Sequence, residues 1–229
     1  MANYLIIGGS SGIGQSTAQQ LSQLGHNVWA SYNQHVKTSN GNIQYFPWNH
    51  ADVPDLSELP EQLDGLVYCP GTILLKPFHR ISDEQFMDDY RVQTIGAIKW
   101  IQAVLPHLKR SQQASIVLYS TLAVQTGLPF HALVSASKGS IEGLTRALAA
   151  EFSPSIRVNA IAPSLTDTPL AAGLLNSPEK RQANAQRHPL KRLGTTEDMA
   201  EMTVFLLEKA SWMTGQVLHL DGGLSNLKV

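Results

Sequence analysis

Tyr4-Leu5-Ile6-Ile7-Gly8-Gly9-Ser10-Ser11-Gly12-Ile13-Gly14 is the stretch whose reading decides the fold. The short apolar run Tyr4–Ile7 predicts a buried strand, and Ser11–Leu24 predicts a helix that ends at Gly25. Between them, Gly8, Gly12 and Gly14 suit a tight turn, a close approach of backbone N–H groups to a ligand, and close packing of helix on strand. The start of a helix favours an anion. A glycine turn alone is weak evidence; at the first strand-to-helix turn it predicts a cradle for a dinucleotide pyrophosphate, made by Gly8, Ser10, Ser11, Gly12, Ile13 and Gly14.

Outward from this loop, apolar runs alternate with amphipathic ones. Strands are expected at Asn27–Ser31, Ile43–Trp48, Gly65–Tyr68, Ala114–Tyr119, Ile156–Ile161 and Val217–Leu220. One long helix is expected within Asp83–Leu108, with others at Ala132–Glu151 and Glu197–Leu207. Strands separated by helices imply an α/β fold: a single Rossmann-type, doubly wound parallel sheet with helices on both faces. No repeat or linker divides the chain, so residues 1–229 are expected to form a single domain. Ligands of such sheets bind beyond the C-terminal strand ends.

The bulk composition narrows the partners. With 229 residues and 43% hydrophobic residues, the chain can bury a large core. A net charge of −1 and a pI near 6.7 give no basic excess for nucleic acid or an anionic membrane. No apolar run approaches the ~18 residues of a membrane span. Cys69 is the only cysteine, which excludes an internal disulfide. No leader is read at Met1-Ala2-Asn3, and a cytoplasmic protein is expected.

The loop spacing is G-x-x-x-G-x-G, and it resembles that of the short-chain dehydrogenase/reductase family, with Ile7 where the family has threonine. The resemblance covers nearly the whole chain. Leu66-Val67-Tyr68-Cys69-Pro70-Gly71 takes the place of a strand end reading N-N-A-G in the family. Ile156–Pro163, Arg192-Leu193-Gly194, Thr214–Val217 and Asp221-Gly222-Gly223 match later family segments. The resemblance implies an oxidoreductase that uses a nicotinamide cofactor.

An acid near the end of the second strand normally bonds the ribose 2′-hydroxyl of NAD. Trp29–Lys37 holds neither Asp nor Glu, which tilts the expectation to NADP(H) over NAD(H). Ser31 and Asn33 suit either ribose group, and Lys37 suits a phosphate or is a solvated loop lysine. By resemblance, Asn49 falls at the adenine, while Gly71, Pro163, Leu165 and Thr168 fall around the rest of the cofactor, the last two holding the nicotinamide carboxamide.

The resemblance also implies a tyrosine acid, a lysine four residues later that bonds the ribose, a serine thirteen residues before the tyrosine, and a helix asparagine. Lys138 matches the lysine, but Val134 stands at the tyrosine, Thr121 (with Ser120 beside it) at the serine, and Gln93 at the asparagine. A valine transfers no proton. Three readings stay open. In one, the acid has moved to His131, seven residues before Lys138, a spacing similar to that of the enoyl-acyl-carrier reductase branch. In another, catalysis is lost and the protein binds dinucleotide as a regulatory or structural partner. In the third, water or Tyr68 supplies the proton.

Beyond Pro163, Ser164 replaces a family glycine. The polar stretch at about 168–192 reads as a lid or as a plain solvated helix pair, with Leu170, Ala171, Leu174 and Leu175 as an apolar underside. An apolar small-molecule substrate is expected, and the resemblance implies a homodimer or homotetramer built through the two long helices and the C-terminal strand. A methyltransferase of the same fold class is the remote alternative; nothing in it requires Lys138.

Overall fold

A computed structural model describes residues 1–228. Its strands are β1 (Asn3–Ile7), β2 (Asn27–Tyr32), β3 (Ile43–Pro47), β4 (Gly65–Tyr68), β5 (Ala114–Tyr119), β6 (Ile156–Pro163) and β7 (Val217–Leu220). They form one sheet in the order β3-β2-β1-β4-β5-β6-β7, and every neighbouring pair is parallel. The order reverses between β1 and β4, where Ile7 stands beside Tyr68.

Parallel strands buried on both faces carry apolar residues at every position. Leu5, Ile7, Leu66, Ile116 and Leu118 point into one core layer, and Tyr4, Ile6, Val67 and Val117 into the other. The first layer is closed by Trp100 and Val104 of α3 (Gly96–Leu108) and by Ile141 and Ala149 of α4 (Ala132–Phe152). The second is closed by Ala18 and Leu21 of α1 (Gly12–Gln23) and by Met199 and Leu206 of α6 (Thr196–Glu208). Helix ends are tied down locally: a Thr195–Asp198 capping box starts α6, and the Arg157 guanidinium donates to the Leu206, Leu207 and Ala210 carbonyls at its end.

Details of the expected elements shift, among them the end of β2, which runs to Tyr32. The long helix expected within Asp83–Leu108 is present and unbroken, but it contains an unexpected π-helical turn at Arg91–Ile95 between its α-helical parts α2 (Asp83–Tyr90) and α3. The cause lies across the core. The Tyr68 hydroxyl donates to the Val92 carbonyl at 2.5 Å, and a Cβ on Gly96 would meet that hydroxyl oxygen at 2.0 Å. Strand β6 runs on to Pro163, because β7 pairs with Ala160–Pro163; β3 stops at Pro47, one residue short of the expected Trp48. The polar stretch after β6 contains a short 3₁₀ segment, Pro169–Leu174, and α5 (Pro178–Arg187), whose Ser177 cap and Pro178 start offset its lack of an apolar stripe. Among the described residues, no helix is long and apolar enough to cross a membrane, and no cluster of ligands fits a metal ion.

Candidate active site

The glycine loop leaves β1 at the reversal of strand order. Gly8 has φ +80°, and a Cβ there would press on Pro70, the residue that leaves β4, at 3.1 Å. The loop is fastened to β2: Gly8 N–H donates to Ser31 Oγ at 2.9 Å, and Gly9 N–H to the Ser31 carbonyl at 3.0 Å. Ser31 is therefore buried beneath the loop, where it sets the loop's shape. Ser11 caps α1 without a side-chain bond to its backbone, and the first turn carries no acid. Its hydroxyl and the first-turn amides remain available to an anion. Ser10 is buried and Asn33 is exposed at the end of β2. Asn49 Oδ1 accepts from Ala51 N–H at 3.1 Å, which leaves its amide hydrogens as donors.

A cleft of about 550 Å³ opens beyond the strand ends, with Ile13, Gly71, Gln93, Thr121, Val134, Lys138, Pro163, Leu165 and Thr168 in its walls. Lys138 is 7% exposed. Burial pulls its ammonium pKa down to about 8, and the Asp89 carboxylate and Cys69 partly offset this. Asp89 is itself buried; it accepts from Gln93 Nε2 at 2.9 and 2.8 Å and from the Thr72 hydroxyl. These bonds fix the Gln93 amide, whose Oε1 is buried with no partner among the described residues. A Cβ on Gly71 would lie 3.5 Å from Gln93 Oε1 and 3.8 Å from Lys138 Nζ. Glycine thus keeps open a space between an orphaned acceptor and a buried ammonium. Ribose hydroxyls, which donate and accept, suit such a space, so the residues present fit a dinucleotide.

The proton-transfer candidates differ in their surroundings. Val134 stands in the cleft wall one turn before Lys138. Thr121 Oγ accepts from Ala123 N–H at 3.3 Å and keeps its own hydrogen to donate into the cleft. Ser120 instead donates to the buried Glu142 at 2.8 Å, so its hydroxyl is already committed. His131 lines the cleft at its partly exposed rim. Its Nδ1 lies 2.7 Å from the Pro129 carbonyl, which can only accept; Nε2 therefore donates only when the ring is protonated. Tyr68 does not face the cleft, since its hydroxyl is held by Val92 in the core.

On the far wall, Thr168 Oγ caps the 3₁₀ segment through Ala171 N–H at 3.2 Å. Arg181 of α5 pairs with Asp167 beside it. Ser164 and His188 form a hydrogen-bonded pair at 2.8 Å in the same wall. Asp89, Glu142 and His188 are the site groups that sequence reasoning missed. The spacing of Asp89 and Gln93 on one helix face was a signal for the first.

Known proteins match this frame along its length. A family model described as enoyl-(acyl carrier protein) reductase matches residues 50–225. A tropinone reductase homolog of Arabidopsis thaliana is 33% identical, covering 97% of this chain and 92% of the relative. The chain belongs to the short-chain dehydrogenase/reductase family. A 3-oxoacyl-acyl-carrier-protein reductase of Thermotoga maritima is 31% identical, with 96% of each chain covered. Among solved structures, a short-chain dehydrogenase family protein from Francisella tularensis has a TM-score of 0.89 at 26% identity, covering 99% of this chain and 100% of that one. ElxO with NADP bound has the same TM-score, identity and coverage. In this short-chain dehydrogenase/reductase, Val134, Gln93 and Ser164 all stand in the walls of one cleft.

Proposed function

We propose that the protein is an NAD(P)(H)-dependent oxidoreductase acting on a carbonyl, its alcohol, or an activated alkene of a small apolar substrate, with NADP(H) preferred. The observation that carries this is the buried Lys138 ammonium across Gly71 from the unpartnered Gln93 carbonyl. A buried charge and a buried unsatisfied acceptor are costly unless a ligand completes them. When bound, a nicotinamide supplies or takes up a hydride. Ser11 and the amides of Gly12 and Ile13 would hold the pyrophosphate, and Lys138 the nicotinamide ribose. Leu165 and Thr168 would hold the carboxamide, which sets the ring face that transfers hydride. Thr121 would donate to the substrate oxygen. The apolar side chains of Ile73, Leu75, Leu128, Leu170 and Leu174 share the cleft and favour an acyl or ring substrate.

Residues 168–192 would act as a lid hinged after β6, within a single domain. Edge strand β7 has a neighbour on one side only, which supports a homo-oligomer built across it. The test is NADPH and NADH consumption against ketones, diketones and enoyl thioesters. Turnover with at least one class, abolished in Lys138→Met, is the expected result. Tight cofactor binding with no turnover of any substrate would leave a dinucleotide-binding module instead.

A further inference from the structure

A second histidine in the cleft has the geometry that proton transfer needs. His188 ends α5 and is 3% exposed. Its Nδ1 lies 2.9 Å from the Asn184 carbonyl oxygen, and its Nε2 lies 2.8 Å from Ser164 Oγ. A carbonyl only accepts, so the neutral ring carries its hydrogen on Nδ1 and presents the Nε2 lone pair to the Ser164 hydroxyl. A hydroxyl bonded to an oriented imidazole, whose other nitrogen is held by an acceptor, is the arrangement that lets a serine exchange protons.

The topology puts this pair beside the other reacting groups. Strands β5 and β6 are paired up to Tyr119 and Ile161, and Thr121 and Ser164 follow at the adjacent strand ends. Both line the cleft with Lys138 and Val134. Ser164 sits between Pro163 and Leu165, within the segment assigned above to the nicotinamide. Val134 brings no hydroxyl to the cleft, the hydroxyl of the lining residue Tyr119 is held by Thr203 at 2.6 Å, and the rim residue His131 is more exposed than His188.

We infer that Ser164 and His188 form the proton relay of this enzyme, replacing the tyrosine that Val134 lacks. In alcohol oxidation, a bound nicotinamide would take up the hydride. The substrate O–H proton passes to Ser164 Oγ as the Ser164 proton passes to His188 Nε2. The substrate is then a carbonyl, and the proton rests on an imidazolium whose Nδ1–H is held by the Asn184 carbonyl. Reduction reverses each transfer, with the imidazolium as the source of the proton. The charged groups around the ring are Arg187 on the cleft side and, in the adjoining recess, Arg192, Asp198, Glu201 and Asp221. Arg192 and Asp198 pair with each other, and Asp221 is held by Gly223 and Ser225.

The relay rests on the oxidoreductase reading, and its test separates the two. Nitrogen NMR of the cofactor-free protein should show His188 protonated on Nδ1 when neutral, and Ser164→Gly should move the Nε2 resonance by removing its hydrogen-bond donor. Turnover should fall about 100-fold or more in both His188→Gln and Ser164→Gly, the size of a lost acid–base group. The imidazole limb of the pH profile should vanish in His188→Gln. Ser164→Gly places the family's own residue at that position, so it guards against misfolding of the histidine variant. Absence of wild-type turnover would defeat the oxidoreductase reading and the relay together. The relay alone is overturned if the wild type turns over but His188 carries its proton on Nε2, if both variants keep wild-type rates, or if the limb survives in His188→Gln and disappears in His131→Ala.

Discussion

Gly14 packs so closely against the glycine loop that a Cβ on it would stand 2.2 Å from the Gly8 carbonyl oxygen. The atom in the way is backbone, so no rotamer change relieves the clash, and α1 must move off the strand end. At Gly12 an added Cβ would meet Thr168 and Pro169 at an ordinary 3.7 Å, and the cost is its φ of +52°, about 1 kcal/mol. Gly14→Ala is therefore expected to lower the melting temperature more than Gly12→Ala. It should also weaken dinucleotide binding by about tenfold or more, because the first-turn amides leave their place. Thermal melts and NADPH fluorescence titrations of the two variants check this ordering, and equal melting temperatures would contradict it.

Lys138 predicts a stability that depends on pH. Its pKa is pulled from 10.5 down to about 8 by burial. Below about pH 8 the lysine is charged in both folded and unfolded chains, and the folded state bears the full desolvation cost. Between about 8 and 10.5 the folded lysine is neutral while the unfolded one still holds its proton. The cost then shrinks as pH rises, and it is gone above 10.5. Lys138→Met removes the charge, so the cofactor-free variant should be more stable than wild type at pH 7. That advantage should narrow between pH 8 and 10. Denaturant unfolding of both proteins across this range is the measurement; a gap independent of pH would show that Lys138 is not desolvated.

What was legible in the sequence divides along physical lines. The strands were readable because a parallel sheet buried on both faces needs unbroken apolar runs such as Leu5-Ile6-Ile7 and Ile116-Val117-Leu118. The glycine turn between β1 and α1 was readable because its conformation depends on near neighbours in the chain. The π turn was hidden because its cause, the Tyr68 hydroxyl on Val92, joins residues 24 apart. The pair of Ser164 and His188 is likewise separated by 24 residues, and His188 lay in a stretch that reads as solvated. Helix α5 has no apolar face, so only its cap residues Ser177 and Pro178 marked it. Asp89 reads as an ordinary surface acid until the fold turns it inward onto Gln93 and Thr72.

Cofactor choice is expected to hinge on the end of β2. Asn33 is exposed there, Trp29–Lys37 contains no Asp or Glu, and Lys37 follows in the loop. A carboxylate at this point would repel a ribose 2′-phosphate and bond a 2′-hydroxyl. Asn33→Asp should weaken NADPH binding by about tenfold, ~1.4 kcal/mol, and strengthen NADH binding. Lys37→Ala should weaken NADPH alone. Parallel titrations with both dinucleotides decide the matter: if neither variant changes the ratio of affinities, discrimination lies elsewhere in the loop.

Val134 offers a direct test of the proposed relay. It lies in the cleft wall, 7% exposed, one helical turn before Lys138. A tyrosine there would bring a phenol beside a buried ammonium, which favours the phenolate and so lowers the phenol pKa towards the working range. If Ser164 and His188 carry the proton in the natural chain, the new phenol makes them dispensable. Val134→Tyr combined with His188→Gln should then recover about tenfold or more of the turnover lost in His188→Gln alone, with the pH profile now governed by the phenol. The gain requires the larger ring to fit, which the melting temperature of Val134→Tyr reports independently. A well-folded double variant that stays as slow as His188→Gln would mean that proton supply is not what the histidine provides.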